Sequence, residues 1–437
     1  MVLAPTLTLS AGSGAAIVRP TFSRDFAGEK TLNNGTGPAI AFTRASNATY
    51  FDASGTLQTA SSDTPRFDHD PATGASRGLL IEEARTNSIR NSQAGGVSAG
   101  TLPTNWTATG TTNNVTRTIV GGGTEDGLSY LEIQYSGTPS ATASVTIAFD
   151  SSSQVVAANG QTWTGSAYCK LQAGSLTNVG GFRIGTDGRD AAGAALSPAQ
   201  RTTTNIAPTS SPLRQHRVSA AHTMADAAVE RAWTFIIFSY ASGDPIDLTL
   251  RIAAPQLEQG AFPTSYIPTT SAAATRAADS AVVTPISSFY NASEGTLVAE
   301  VSYAGAASDT NIGNRVSLQI DDNTTDNRHL ISNRQTNGTG GSSTVVSGTN
   351  VAPLEVGSTA VPVNTPVRLA MAYATNDIIA AKNGSLSSPD TNAALPSVTH
   401  LRAGHATTTA SRLNGHIRKI AYWPKRLTNT LLEQLTT

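Results

Sequence analysis

A single cysteine, Cys169, stands in 437 residues. A lone thiol excludes an intrachain disulfide and any zinc site built from cysteine pairs, and it reads as a small buried hydrophobe. Charge is also scarce: Asp, Glu, Lys and Arg make up 14% of the chain and nearly cancel, leaving a formal net charge of −1. A nucleic-acid binder carries a basic surplus or stripe, so that class is set aside. No run approaches the roughly 18 apolar residues of a membrane helix. The Met1–Pro5 start shows no charged region followed by an apolar core, so the expectation is a chain without a signal peptide or membrane insertion, made in the cytoplasm. Neither heptads nor a repeat of 20–50 residues appears, which excludes solenoid architectures.

What fills the chain is Ala, Thr, Ser, Gly and Asn, arranged around short apolar alternations. Leu131, Ile133 and Tyr135 fall on one face of a period-two segment, as do Val145, Ile147 and Phe149, and Ile246, Leu248, Leu250 and Ile252. Trp233–Phe238 is apolar on both faces and reads as a central strand. Leu297, Ala299, Val301 and Tyr303 give another one-faced strand. Glycine turns separate these segments and no long helical period intervenes, so the fold class is all-β, with tandem antiparallel sandwiches. Near the end, Pro424 stops a strand, Thr428 is placed to cap a short helix, and Leu431, Leu432 and Leu435 form its apolar stripe.

Two stretches organise the rest. The segment 254–279 contains Pro-Gln-Leu-Glu, Thr-Ser-Tyr-Ile-Pro-Thr and Thr-Arg-Ala-Ala-Asp. Its prolines and glycine argue against a helix or a central strand, and it reads as an extended junction. Together with residues 42–91 (Arg-Ala-Ser, Ala-Thr-Tyr-Phe-Asp, Pro-Arg-Phe-Asp-His-Asp-Pro, Arg-Gly-Leu-Leu-Ile-Glu-Glu-Ala-Arg-Thr-Asn) it resembles bacteriophage head-spike and tail-fibre proteins. Such proteins join a leader to a carbohydrate-binding-like jelly roll. The last third, with Leu-Asn-Gly-His-Ile and Ile-Ala-Tyr-Trp-Pro, resembles the closing strand and helix of concanavalin-A/laminin-G-like sandwiches. The expected division is an arm and leader at 1–91, the candidate for attachment to a particle, and a linker at 92–104. A jelly roll at 105–269 follows, then a linker at 270–293 and a concanavalin-A-like sandwich at 294–437.

Candidate chemistry is sparse. Flat rings beside polar groups suit sugars, which points to Trp106, in a polar Thr-Asn-Trp-Thr setting, and to Trp163 and Tyr168. Trp233 and Trp423 read as core. The oxygen-rich loop with Asp321, Asp322 and Asp326 has the ligand chemistry of a calcium site, weighed against a solvated hairpin loop; no other cofactor is expected. Asp68-His69-Asp70 reads as a turn before Pro71 or as part of a metal site. Glu82, Glu83 and Glu258 are the acids a glycosidase would need, but the alternating E-x-D-x-E strand of concanavalin-like glycosidases is absent; Glu258 reads instead as an acceptor for backbone amides. Arg44 and Arg276, in matching Thr-Arg-Ala contexts, read as ties from the linker to the neighbouring domain through a carboxylate or carbonyls.

The resemblance implies a non-enzymatic virion protein. It would contact capsid or tail components, bind host surface polysaccharide, and form a homo-oligomer, a trimer by family analogy. A purely architectural virion protein and a polysaccharide depolymerase are the alternatives. Depolymerising spikes are commonly parallel β-helices, and this chain lacks their repeat.

Overall fold

The computed structural model describes residues 19–110, 112–304, 315–333, 339–357, 361–407 and 411–437. Residues 1–18, the greater part of the expected N-terminal arm, lie outside this set. The described chain is almost entirely antiparallel strand, with one short C-terminal helix.

The first sandwich holds two sheets. In one, the order is Arg217–Thr223, Thr162–Ser175, Ile246–Gln259, Leu128–Gly137 and Thr116–Glu125. In the other, Arg231–Tyr240 lies between Val179–Arg189 and Ala143–Ala148, as its two apolar faces predict. Leu131, Ile133 and Tyr135 from one sheet meet Val145, Ile147 and Phe149 from the other in a single apolar core, with Cys169 beside them. Burial pushes the Cys169 thiol well above its ordinary pKa, so it stays protonated and inert.

The junction departs from expectation. Ile246–Gln259 continues through Pro255 as a strand inside its sheet. Pairing with Leu128–Gly137 has ended at Ala253, and on the other side the register shifts between Ser166 and Tyr168. Ala254, at φ 47°, takes the left-handed turn of this irregularity. A proline in a bulge removes no ladder hydrogen bond, and this is why the strand tolerates it.

In the second sandwich the strands regroup across the expected boundaries. Its larger sheet runs Ser385–Leu386, Asp377–Lys382, Val367–Ala374, Glu294–Tyr303, Gly415–Trp423, Ser76–Ile81 and Phe67–His69, and Phe22–Asp25 also pairs with Gly415–Trp423. The facing sheet begins with Ala41–Thr43 and Ser280–Val283 before His400–Ala403 and Arg315–Asp321. Segments read as leader and linker are therefore strands of the C-terminal sandwich, sharing its core through Phe22, Leu79, Ile81, Ala281 and Val283. The first sandwich is an insertion into the second. Its entry and exit, Arg85–Asn87 and Ala274–Arg276, pair with each other as a two-stranded stalk. The helix Asn429–Thr436 closes the outside of the larger sheet; the Thr428 hydroxyl accepts from the Leu431 amide, and Leu432 packs with Ala370, Ala372 and Ile379.

Beneath the stalk lies a buried ionic cluster. Asp279 pairs with Arg44 (3.1 Å) and Arg66 (2.6 Å), while Glu82 pairs with Arg66 (2.8 Å) and Arg276 (3.1 Å). All five side chains are at most 3% exposed. Arg44 and Arg276 thus act as the expected ties, and Glu258 accepts from the Thr264 amide (2.9 Å) and hydroxyl (2.5 Å). Burial alone would raise the Glu82 pKa, but Arg276 and Arg66, with the Ser265 donors, outweigh it and hold the carboxyl far below the usual range. A depressed folded pKa contributes stability that is present above the unfolded value of about 4.3 and is lost as pH falls toward the folded one. The unfolding free energy should therefore fall as pH drops below about 4.5, more steeply in the native chain than in Glu82→Gln. Denaturant titrations across that range check it, and equal slopes would remove Glu82 from the account.

Candidate functional site

Where leader, first sandwich and junction meet, they enclose a cleft of about 460 Å³. Tyr50 and Phe51, half-buried at the end of strand Ala48–Phe51, line it together with Tyr168 from strand Thr162–Ser175, and the Phe51 and Tyr168 rings meet edge to face at 6.5 Å. Asp68 and Asp70 flank His69, which ends strand Phe67–His69; Arg77 and His416 come from strands of the second sandwich, and Arg217 from the first. A ring-walled recess carrying carboxylate, guanidinium and imidazole groups has the chemistry that holds a polyol: apolar C–H faces against rings, hydroxyls against polar groups.

The polar groups are individually anchored. Asp68 accepts from the Phe51 amide (2.8 Å) and pairs with His416 Nε2 (2.8 Å), while Nδ1 of that imidazole is buried without a partner. Asp70 accepts from the Ala72 and Thr73 amides, the turn expected before Pro71, and also pairs with Arg77 at 2.7 Å. These bonds keep the Asp70 carboxyl below its ordinary range despite partial burial. Arg214 is held by Asp126 at 2.5 Å and by the Pro71 carbonyl. His69 turns away and meets the Phe51 carbonyl through Nδ1, so the Asp-His-Asp run splits into separate structural duties.

Of the three rings singled out in the sequence, Tyr168 alone lines this cleft. Trp106 was expected to expose its indole; it is instead 4% exposed, edge to face with Phe149 at 5.0 Å, and its Nε1 donates to the Asn91 carbonyl. The polar residues around it are strand-edge neighbours, and the ring itself fills the sandwich core. Trp163 is 6% exposed in that core, its Nε1 donating to Gln161. Neither offers a face to a sugar. Trp423 is buried as expected, whereas Trp233 is half-buried on the outer face of its sheet beneath Arg189.

The calcium reading is also corrected. Asp321 is fully buried and bound by Arg402 (2.7 Å), Gln319 and the Asn323 amide; Asp322 is used by Thr324 and Asn327 in the loop; Asp326 lies exposed. An arginine already neutralises the one carboxylate that could anchor an ion. Among the described residues no group of three or more His, Cys, Asp or Glu is placed to hold a metal.

Arg77, Arg217 and His416 escaped the sequence reading. Their positions depend on pairings such as Asp68 to His416, 348 residues apart, which leave no local trace. The faint signal was that Pro-Arg-Phe-Asp-His-Asp-Pro and Leu-Asn-Gly-His-Ile each place a titratable group amid apolar strand residues.

No protein-family model matches the chain, and no curated protein does. Among solved structures it is similar to domain 4 of an extracellular GH43 arabinanase from Geobacillus stearothermophilus, in complex with arabinotriose. That likeness has 11% identity, covers 37% of this chain and 73% of that one, and has a TM-score of 0.26. A carbohydrate-binding module of the β-sandwich superfamily has 15% identity over 50% of this chain and 85% of that one, with a TM-score of 0.28. The CBM22 tandem of Paenibacillus barcinonensis Xyn10C has 10% identity over 79% and 99%, with a TM-score of 0.23.

Proposed function

We propose that this chain is a non-enzymatic, glycan-binding component on the exterior of a phage-type particle. It meets other virion proteins on one side and host surface polysaccharide on the other. The observation that carries the glycan reading is the cleft lined by the half-buried Tyr50 and Phe51 with anchored polar groups around it. The virion setting rests on the sequence resemblance. A homotrimer would present the cleft three times, and such repetition raises avidity by orders of magnitude over one weak site.

Ala72, exposed at the rim of the cleft, provides the test. Ala72→Trp should fill the mouth while leaving the melting temperature within about 1 °C, since exposed substitutions cost little. Glycan-array signal of the intact chain, and its competition with particle adsorption, should fall at least about tenfold. Unchanged glycan binding by a folded Ala72→Trp protein would place recognition elsewhere, and absence of any glycan ligand for the native chain would favour a purely architectural role.

A further inference from the structure

One of the guanidiniums at the cleft is held differently from the rest. Each carboxylate in its wall already has a partner: Asp68 is bonded to the His416 imidazole, Asp70 pairs with Arg77, and Glu82 with Arg66 and Arg276. Arg214, the other guanidinium of the first sandwich at the cleft, is matched by Asp126. Arg217 differs. Its Nη1 donates to the Thr264 carbonyl at 2.7 Å and its Nη2 to the Ser166 hydroxyl at 3.1 Å, both neutral acceptors, and Nε has no partner. Among the described residues no carboxylate lies within ion-pair distance of it. Two of the five N–H donors of a guanidinium are thus spent, and its charge is left uncompensated.

The setting of this cation is built rather than incidental. Its guanidinium carbon lies 5.7 Å from the centre of the Tyr168 ring, a stacking that fixes the plane of the side chain. The two neutral acceptors hold it from behind, one on the junction segment and one on the strand that carries Tyr168. Tyr168 is itself 3% exposed, and Asp68, Arg77 and Arg217 all act electrostatically on its hydroxyl, which places that hydroxyl among the charged groups of the cleft. A partly buried, pre-oriented guanidinium with free donors is the group that recognises carboxylates, by planar, charge-assisted hydrogen bonds.

We propose that the cleft selects acidic glycans, with Arg217 receiving the carboxylate of a uronic-acid-type sugar seated in the cleft beside the half-buried Phe51. This deepens the glycan-binding reading above and rests on it. A neutral sugar in the same place would leave the Arg217 charge buried against it without a counter-ion, which costs affinity. Selectivity therefore comes from both the gained pair and the avoided mismatch.

The test uses the intact chain on an array of carboxylated oligosaccharides (hexuronate, sialic-acid and pyruvate-ketal types), each beside its carboxyl-reduced neutral counterpart. The native chain should prefer the carboxylated member of its best pair by about tenfold or more, the factor expected for a hydrogen-bonded ionic contact. Arg217→Gln should bring that ratio close to one, and Arg217→Lys should keep part of it. Because Arg217 also braces Thr264, the comparison within the native chain decides even if a variant fails to fold. Equal binding of both members overturns the inference and leaves the glycan reading standing; binding of no glycan overturns that reading as well. A preference that survives in folded Arg217→Gln removes Arg217 from the role. Free acetate should not compete at the concentration where the carboxylated sugar does, and equal competition would make this a simple anion site and overturn the proposal.

Discussion

Asp279→Asn is expected to destabilise the protein by about 3–5 kcal/mol, the range for removing one partner of a buried ionic group. Asp279 is fully buried and its two oxygens serve Arg44, Arg66 and the Glu82 amide. An amide keeps the shape and one acceptor, but leaves Arg44 without a carboxylate partner and Arg66 with Glu82 alone, both fully buried. Both are large side chains with no room to swing outward, being 0% exposed. The loss should be felt in both sandwiches, because the cluster fastens the stalk of the first to strands of the second. Chemical denaturation followed by tryptophan fluorescence would measure it; Trp106, Trp163 and Trp233 report on one sandwich and Trp423 on the other. A loss under about 1 kcal/mol would mean that the arginines find other partners and that the cluster does little to join the units.

Trp106→Ala is expected to cost about 3–5 kcal/mol as well, through a different route. Removing the indole opens a cavity against Phe149 and strips the Asn91 carbonyl of its Nε1 donor. Trp106→Phe should recover most of the packing but not the hydrogen bond, placing its loss between the two. Glycan affinity of the protein that remains folded should be unchanged in both variants. A variant of normal stability with lost sugar binding would instead restore the surface role that the polar neighbours of Trp106 suggest.

That pair of outcomes marks where sequence reading holds and where it stops. Period-two alternation located the buried faces of Leu131–Tyr135, Val145–Phe149, Ile246–Ile252 and Leu297–Tyr303, because a strand with one wet face writes that pattern directly into its residues. The helix cap at Thr428 was legible for a similar local reason, whereas the matching Thr-Arg-Ala contexts marked Arg44 and Arg276 as ties without naming Asp279 and Glu82, far away in sequence, as their partners. Trp106 was misread because flanking polarity says which way the neighbours point, not where a ring lies. The membership of leader strands in the C-terminal sandwich was hidden for another reason. Phe22 aligns with Tyr422 and Gly415 with Ile81, and alternation tells that a strand has a dry side without telling which strand lies next to it. The cleft inherits this blindness, since its walls come from segments hundreds of residues apart.

The insertion of one sandwich into the other sets an order of events during synthesis. Residues 107–259 hold all the partners their strands need and can close as soon as they leave the ribosome. Phe22–Asp25, made long before, must wait for Gly415–Trp423, and Ser76–Ile81 waits for the same strand on its inner side. For most of translation the early strands are therefore open edges, protected from pairing with other chains only by charges such as Arg24, Asp25 and Arg77. A fragment beginning at residue 294 would show the converse fault, as its final strand would lack both Phe22–Asp25 and Ser76–Ile81 along one side.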